Sequence, residues 1–508
     1  MFCSLFFETS MKKKCHSRLL KIIYGLFLGL WLRKIIFVND NFICMEFNKL
    51  IDRGAEIERI NDALSRQTPQ FIVVYGRRRI GKSTLIKHIL KSLSGSLYFL
   101  SDTSSESVQR SLFAKMVATV IDGFDKVVYP DWETLFRSMN SQLKERIAVC
   151  LDEFPYLVKS CEVLPSIIQK LMNEKCLKFD LILCGSSQQL MHGYVLNRQS
   201  PLYGLANEII RMTPIPAGFV PEALACDAEQ AVREYAVWGG IPRYWELRND
   251  YVDFETAIKK VVLDPQGPLS EEPQRLLRDD MRDTVQAVTI LTIIGNGANK
   301  LTEIATRAGK DATQISEPLG KLRDLGYVYR EVPFGEDPKK SKKGIYHIND
   351  SLLRFYYQFI VPYRSIIELG RVDTVMKIVE EQLPQYVSLC WEELCRNYVS
   401  GNVINGIPYD LASRWWGKIF PPENKEGKMV ELDVVAESFD KKHLLIGECK
   451  WTHQEDAERL RYELEQKVQY LPFVKPNQTV HIVLFLKEKP LRQSEEVAVF
   501  LPENVLKV

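Results

Sequence analysis

The chain has 508 residues, of which 46% are hydrophobic and 26% charged, with a formal net charge of +2. That length is too great for one core and calls for three or four domains, and the composition is that of a folded globular protein rather than a disordered or fibrous one. The near-neutral charge excludes a uniformly basic nucleic-acid binder, so any such contact must come from local patches.

Residues 1–44 stand apart. A basic stretch, Lys12 to Lys21, precedes the apolar run Ile22 to Leu32, closed by Arg33 and Lys34. The run is too short to span a bilayer, which needs about 20 residues, and no small-residue cleavage site follows it. The preferred reading is an extension that is not native or not important. A membrane anchor and an ordered helix are the alternatives. Membrane association is not expected of the rest, and the location expected is cytoplasmic. The eleven cysteines include no CxxC pair, and Cys150, Cys184 and Cys449 each lie inside an apolar run. They read as small buried hydrophobes in a reducing compartment rather than as disulfide partners.

From Met45 the chain alternates short apolar strands with amphipathic helices. FIVVY (Phe71 to Tyr75), SLYFL (Ser96 to Leu100), IAVCLD (Ile147 to Asp152) and LILCG (Leu181 to Gly185) are continuous apolar runs. Such runs predict a parallel sheet covered on both faces, ending near Pro216. Between the first run and the helix TLIKHIL lies GRRRIGKST, a match to GxxxxGK[ST] in the strand-to-helix setting that this phosphate-binding motif requires. Gly76 and Gly81 let the backbone wrap, so that the N–H groups of Gly76, Arg77, Arg78, Arg79, Ile80, Gly81, Lys82, Ser83 and Thr84 can face the phosphates at a helix N-terminus. Lys82 is expected to reach the β and γ phosphates of ATP, and the Ser83 hydroxyl to ligate Mg²⁺.

Asp152-Glu153 closes the third run, about 70 residues further on, in the manner of a Walker B motif. Asp152 is expected to hold the magnesium through water, and Glu153 to polarise the attacking water as a general base. The fourth run delivers Ser186 and Ser187 to the same sheet edge. One of them is a candidate sensor of the γ-phosphate, and a helix N-cap is the plainer role.

GRRRIGKST, LDEFPYL, LCGSSQQLM, SPLYG and WGGIPRYW together resemble the archaeal-type ATPase family, AAA+-related P-loop proteins close to the STAND signalling ATPases, over about residues 46 to 250. The resemblance implies that Pro242, in GGIP, sits near the adenine or ribose and reports nucleotide state to a helical lid. It also exposes a departure. In that family SPLYG is usually followed by an arginine, a plausible arginine finger, whereas here Leu205 follows Gly204. Arg198 and Arg211 are nearby but occupy other positions. Such an arginine is worth roughly 10³–10⁵ in rate in related systems, so ATP binding is expected more firmly than fast turnover.

Residues 217–285 read as helical, interrupted by the turn at GGIP. From Thr289, three short helices split by glycines precede the strand YVYREVPF, the loop GEDPKKSKKG and the strand IYHIND. That order predicts a winged helix-turn-helix with its wing at Gly335 to Gly344. Lys339, Lys340, Lys342 and Lys343, with the helix Ala312 to Leu325, are candidate DNA phosphate contacts; a solvated lysine loop is the alternative.

The segments LLRFYYQFIVPYRSIIELG (Leu352 to Gly370) and RWWGKIF (Arg414 to Phe420) resemble the domain often fused behind these ATPases, which is related to the PD-(D/E)xK nuclease fold. On their own terms, Val430 to Ala436 and His443 to Cys449 read as strands joined by ESFDKK. A hairpin symmetric about Asp440 and Lys441 sets Asp433 opposite Glu448, and period-two alternation puts Asp433, Glu448 and Lys450 on one face. Two carboxylates able to bind Mg²⁺ beside a lysine able to steady water or phosphate suit metal-assisted phosphodiester hydrolysis. Glu392 matches the accessory acid of the fold. The spacing alone is equally that of a solvated hairpin face.

The expectation is therefore an α/β chain with a P-loop ATPase core (45–216), a helical lid (217–285), a winged helix (286–350) and a restriction-endonuclease-like α/β domain (351–508). ATP and Mg²⁺ are the expected cofactors and DNA the expected partner, with a homo-oligomer left open. Two rival functions stand beside a nuclease-coupled ATPase: a STAND-like switch that hydrolyses slowly, and a DNA-binding regulator whose distal domain is inactive.

Overall fold

The computed structural model describes residues 50–507 apart from 176, 282 and 423–425; the expectation for residues 1–44 lies outside them. β1 (Phe71–Tyr75), β2 (Leu97–Leu100), β3 (Ile147–Asp152), β4 (Phe179–Gly185) and β5 (Glu208–Arg211) form one parallel sheet in the order β2-β3-β4-β1-β5. β3 and β4 are buried along their whole lengths, which is why their sequences are continuous apolar runs. β5, at the edge, is EIIR and buries only Ile210. Its mixed composition hides it from a search for apolar runs. One face of the sheet is covered by a cluster that includes Phe113, Trp132, Phe136, Met139, Leu157 and Ile168 from the helices that follow β2 and β3.

Helices occupy most of residues 217–280. Their centre is an ion pair in which Glu234, with no exposure, holds Arg248 at 2.8 Å and accepts from Trp238 Nε1 at 2.8 Å. Helices Val285–Gly295, Leu301–Arg307 and Ala312–Asp324 follow, then the antiparallel pair β6 (Val328–Glu331) and β7 (Ile345–Ile348). The loop between β6 and β7 starts against residues of the carboxy-terminal region. Phe334 N–H donates to the Arg414 carbonyl at 2.8 Å, and the Phe334 ring meets Phe473, which also packs on Trp415.

After the 28-residue helix Val372–Val399 and the short hairpin β8 (Val403–Ile404) and β9 (Ile407–Pro408), a second sheet forms in the order β10-β11-β12-β13-β14. β10 (Ser413–Ile419), β11 (Lys428–Glu437) and β12 (His443–Lys450) are antiparallel, whereas β13 (Thr479–Leu486) and β14 (Ala498–Phe500) join in parallel. The long helix crosses this sheet, with Trp391 Nε1 donating to the Phe485 carbonyl at 3.2 Å and the Trp391 ring against Trp451. Cys150, Cys184 and Cys449 are all buried, in β3, β4 and β12 respectively. No helix among the described residues is long and apolar enough to cross a membrane.

Candidate functional site

The GRRRIGKST loop turns from β1 into the helix Lys82–Lys91. A Cβ on Gly76 would lie 2.6 Å from the Met212 carbonyl oxygen, so the loop can leave the strand here only as glycine. Gly81 enters the helix with φ +94°, a conformation that glycine alone adopts freely. Lys82 is 5% exposed, and its ammonium donates to the carbonyls of Gly76 at 2.9 Å and Arg77 at 3.0 Å. Ser83 Oγ donates to Asp152 Oδ2 at 2.6 Å. The hydroxyl and carboxylate that would share a magnesium ion therefore already meet, and this donor set fits Mg²⁺, a hard cation that takes oxygen ligands and retains water.

Glu153 follows in the left-handed region, φ +53°, which directs its carboxylate toward β4. There it accepts from Ser186 N–H at 3.3 Å and Ser186 Oγ at 2.9 Å. The two serines take different roles: Ser186 faces Glu153, while Ser187 Oγ accepts from Leu190 N–H at 3.3 Å as a helix cap. Sequence reasoning missed Tyr98, whose hydroxyl donates to Asp152 and whose phenol is raised above its ordinary value by burial and by that bond. Its place in β2, paired with Cys150 two residues before Asp152, was the available signal.

The side chains of the three loop arginines are engaged elsewhere, which leaves the expected backbone N–H role of these residues untouched. Rather than turning toward a phosphate, all three pair with carboxylates from beyond the core: Arg77 with Asp350, Arg78 with Asp279 at 2.7 Å and Arg79 with Glu272 at 3.0 Å. Three adjacent cations find neutralising partners more than 190 residues away, so a phosphate contact from these residues rests on backbone N–H groups. Arg53, also unforeseen, ties the helix that begins at Gly54 to the loop by donating to the Ile80 and Thr213 carbonyls at 3.3 and 3.0 Å.

Pro242 opens the helix Pro242–Asn249, and its Cγ lies 4.0 Å from where a Gly81 Cβ would sit. Gly240 packs against the backbone of Ile215, leaving no room for a Cβ, and its carbonyl accepts from Ile215 N–H at 2.8 Å. Gly240→Ala is therefore expected to cost roughly 1–3 kcal/mol or more by overpacking, measured as a lowered unfolding midpoint with weakened nucleotide binding. Arg198 and Arg211 are both exposed. Arg211 ends β5 in register with Tyr75 and lines a cavity of about 650 Å³ that also includes His192, Asp280 and Lys321.

In the second sheet, Val434 pairs with Gly447, and the same register sets Asp433 beside Glu448. Cys449 N–H donates to Asp433 Oδ2 at 2.8 Å. Glu392, Asp433, Glu448 and Lys450 all line one cavity of about 710 Å³ between the long helix and the sheet face. Lys450 reaches Glu448 Oε1 at 2.8 Å, and Lys467, which sequence reasoning also missed, reaches Oε2 at 3.4 Å. Burial first, then the Asp433 charge, pushes Glu392 up to about 7. Burial and the nearby Glu448 raise Asp433 as well. The Glu448 carboxylate raises Lys450 against the opposing effect of burial. Among the described residues no cluster of three or more His, Cys, Asp or Glu side chains is arranged to hold a metal. A divalent cation here would rest on two carboxylates, completed by backbone and water, a coordination that suits Mg²⁺.

A family described as an ATPase domain predominantly from Archaea matches residues 50–244, and a family of archaeal and bacterial proteins of unknown function matches 356–461. The uncharacterized protein MJECL04 of Methanocaldococcus jannaschii is 30% identical over 423 residues, covering 80% of this chain and 89% of that protein. The chain belongs to this archaeal ATPase family. Solved structures similar to this family member include the Walker-type ATPase paby2304 of Pyrococcus abyssi, 18% identical with a TM-score of 0.48 over 61% of this chain and 96% of that one. The Aeropyrum pernix ORC2 protein is 13% identical with a TM-score of 0.41 over 66% of this chain and 96% of that one.

Proposed function

We propose that this archaeal-type ATPase couples ATP binding and hydrolysis to a winged helix and a PD-(D/E)xK nuclease-like domain acting on DNA. The observation that carries the reading is the convergence of Glu392, Asp433, Glu448 and Lys450 on one cavity. Bound magnesium would supply charge neutralisation at the phosphates and at a scissile phosphodiester. Ser83 and Asp152 would hold it in the first site, and Asp433 and Glu448 in the second. Lys82 binds the β and γ phosphates, Glu153 takes the proton of the attacking water, and Ser186 is placed to read the γ-phosphate through the carboxylate it holds. In the second site Lys450 steadies the attacking water or the phosphate, and Glu392 is the accessory acid.

The helices 285–324 with β6 and β7 have the element order of a winged helix. Its loop lysines are partly neutralised within the loop, Lys343 by Glu336 at 2.8 Å and Lys340 by Asp337 at 4.0 Å. In the proposed reading the winged helix therefore docks within the chain, and DNA is engaged mainly by the carboxy-terminal domain. Pro242, beside Gly81, would pass nucleotide state to the helical segment.

Metal-dependent cleavage tests the second site. Labelled DNA incubated with Mg²⁺ or Mn²⁺ is expected to be cut by the full chain and left intact by Asp433→Ala. DNA bound but uncut by both proteins would favour a regulator with an inactive distal domain. A STAND-like switch with slow hydrolysis is the second reading, favoured by Leu205 after Gly204. Nucleotide that survives purification, with negligible turnover, would select it.

A further inference from the structure

The face of β11 that carries Asp433 continues outward as an exposed aromatic and basic stripe. Along β11, Val430, Leu432 and Val434 are buried, whereas Met429, Glu431 and Asp433 face the other way. Register adds Trp416, paired with Glu431, and Lys418, paired with Met429, to that same face. Met429 and Phe420 are each 61% exposed, and together with Trp416 they make an apolar patch rather than single exposed residues. Arg414 lies over the Trp416 ring and pairs with Glu431, so that carboxylate does not oppose an anion. Lys418 reaches the Glu426 carbonyl at 3.3 Å, and neither it nor Lys428 has an ion pair among the described residues. Lys428 and Met429 line the same cavity as Asp433 and Glu448, whose far wall is the long helix at Gln385, Ser388 and Glu392.

We propose that this stripe, which borders the cavity at Lys428 and Met429, receives a single, unpaired strand of nucleic acid, whose bases stack on Trp416, Met429 and Phe420 and whose phosphates meet Lys418 and Lys428. Apolar platforms interleaved with ammonium groups that no carboxylate neutralises among the described residues suit a chain that is itself alternately π-faced and anionic. In a duplex the base faces are stacked on one another and unavailable to these side chains. The direction of the strand, into the carboxylates, rests on the nuclease-like reading proposed above; the binding does not.

Fluorescence anisotropy of a fluorescein-labelled oligothymidylate, with EDTA present and the full chain as binder, tests the proposal without any cleavage. The single strand is expected to bind at least tenfold more tightly than a duplex of equal length, with quenching of tryptophan emission. Trp416→Ala should weaken binding roughly tenfold and Trp416→Phe should restore most of it, because stacking is worth about 1–3 kcal/mol per base. Lys418→Glu combined with Lys428→Glu, both at exposed positions, should weaken binding further and flatten its salt dependence. A duplex bound as tightly as the single strand, unchanged binding by both sets of variants, or a stripe that instead mediates dimerisation in sedimentation would overturn the proposal. Strand binding without metal-dependent cleavage leaves it standing and removes the nuclease reading. Cleavage without preference for unpaired DNA does the reverse.

Discussion

Glu153→Gln is expected to slow steady-state phosphate release by roughly 10²–10⁴-fold while leaving ATP binding intact. The amide keeps the shape of the carboxylate and can still accept from Ser186 Oγ, now at 2.9 Å, so the β3–β4 edge should be undisturbed. What it lacks is the basicity to take a proton from water. Asp152 already accepts from both Ser83 and Tyr98, which makes it a poor substitute. Phosphate release by the variant at the wild-type rate would remove Glu153 as the base and leave this edge with only a structural role. A parallel titration with ATP separates loss of chemistry from loss of binding.

Glu234→Ala is expected to destabilise the fold by about 3–5 kcal/mol, because it strands Arg248 as a buried charge without a partner. The carboxylate meets Arg248 Nε at 2.9 Å and Nη2 at 2.8 Å and also holds Trp238 and Gln230, so several donors lose their acceptor together. Replacing both members by apolar residues, Glu234→Leu with Arg248→Met, should recover most of the loss, since a well-packed apolar pair of similar volume often equals a buried ion pair. Urea denaturation followed by tryptophan fluorescence distinguishes the cases. A single variant that costs under about 1 kcal/mol would show that the pair is solvated in solution. The consequence reaches beyond stability. The helix Ala228–Trp238 that carries Glu234 begins near Lys487, which pairs with Glu229 at 3.1 Å and donates its backbone N–H to the Lys450 carbonyl at 3.0 Å. The helix is capped at Gly239, three residues before Pro242, whose Cγ lies 4.0 Å from where a Gly81 Cβ would sit.

What could be read from sequence was whatever local chemistry determines. β1, β3 and β4 are continuous apolar runs because both faces of a parallel sheet are covered, and the loop after β1 carries its own spacing. The β11–β12 register was legible for a similar reason. Its turn is short, with Lys441 at φ +60° and Ser438 Oγ donating to Asp440 at 2.6 Å, so pairing propagates symmetrically and brings Asp433 to Glu448. Contacts between distant segments were not legible. Nothing near GRRRIGKST marks Asp279, Glu272 or Asp350 as partners of its arginines, and those carboxylates look like ordinary surface charges where they occur. Lys467 was hidden likewise, one cation among many on the helix Ala457–Val468 until the fold sets it against Glu448. β5 escaped because an edge strand needs only one buried residue.

Isothermal titration of the full chain with ATP in the presence of magnesium tests the central claim most directly. Wild-type protein should bind ATP stoichiometrically, and Lys82→Ala, which removes the ammonium assigned to the β and γ phosphates, should lose most of that affinity while still unfolding cooperatively. Wild-type protein that takes up no ATP with magnesium supplied would contradict the assignment of the loop between β1 and the helix Lys82–Lys91 as a nucleotide cradle.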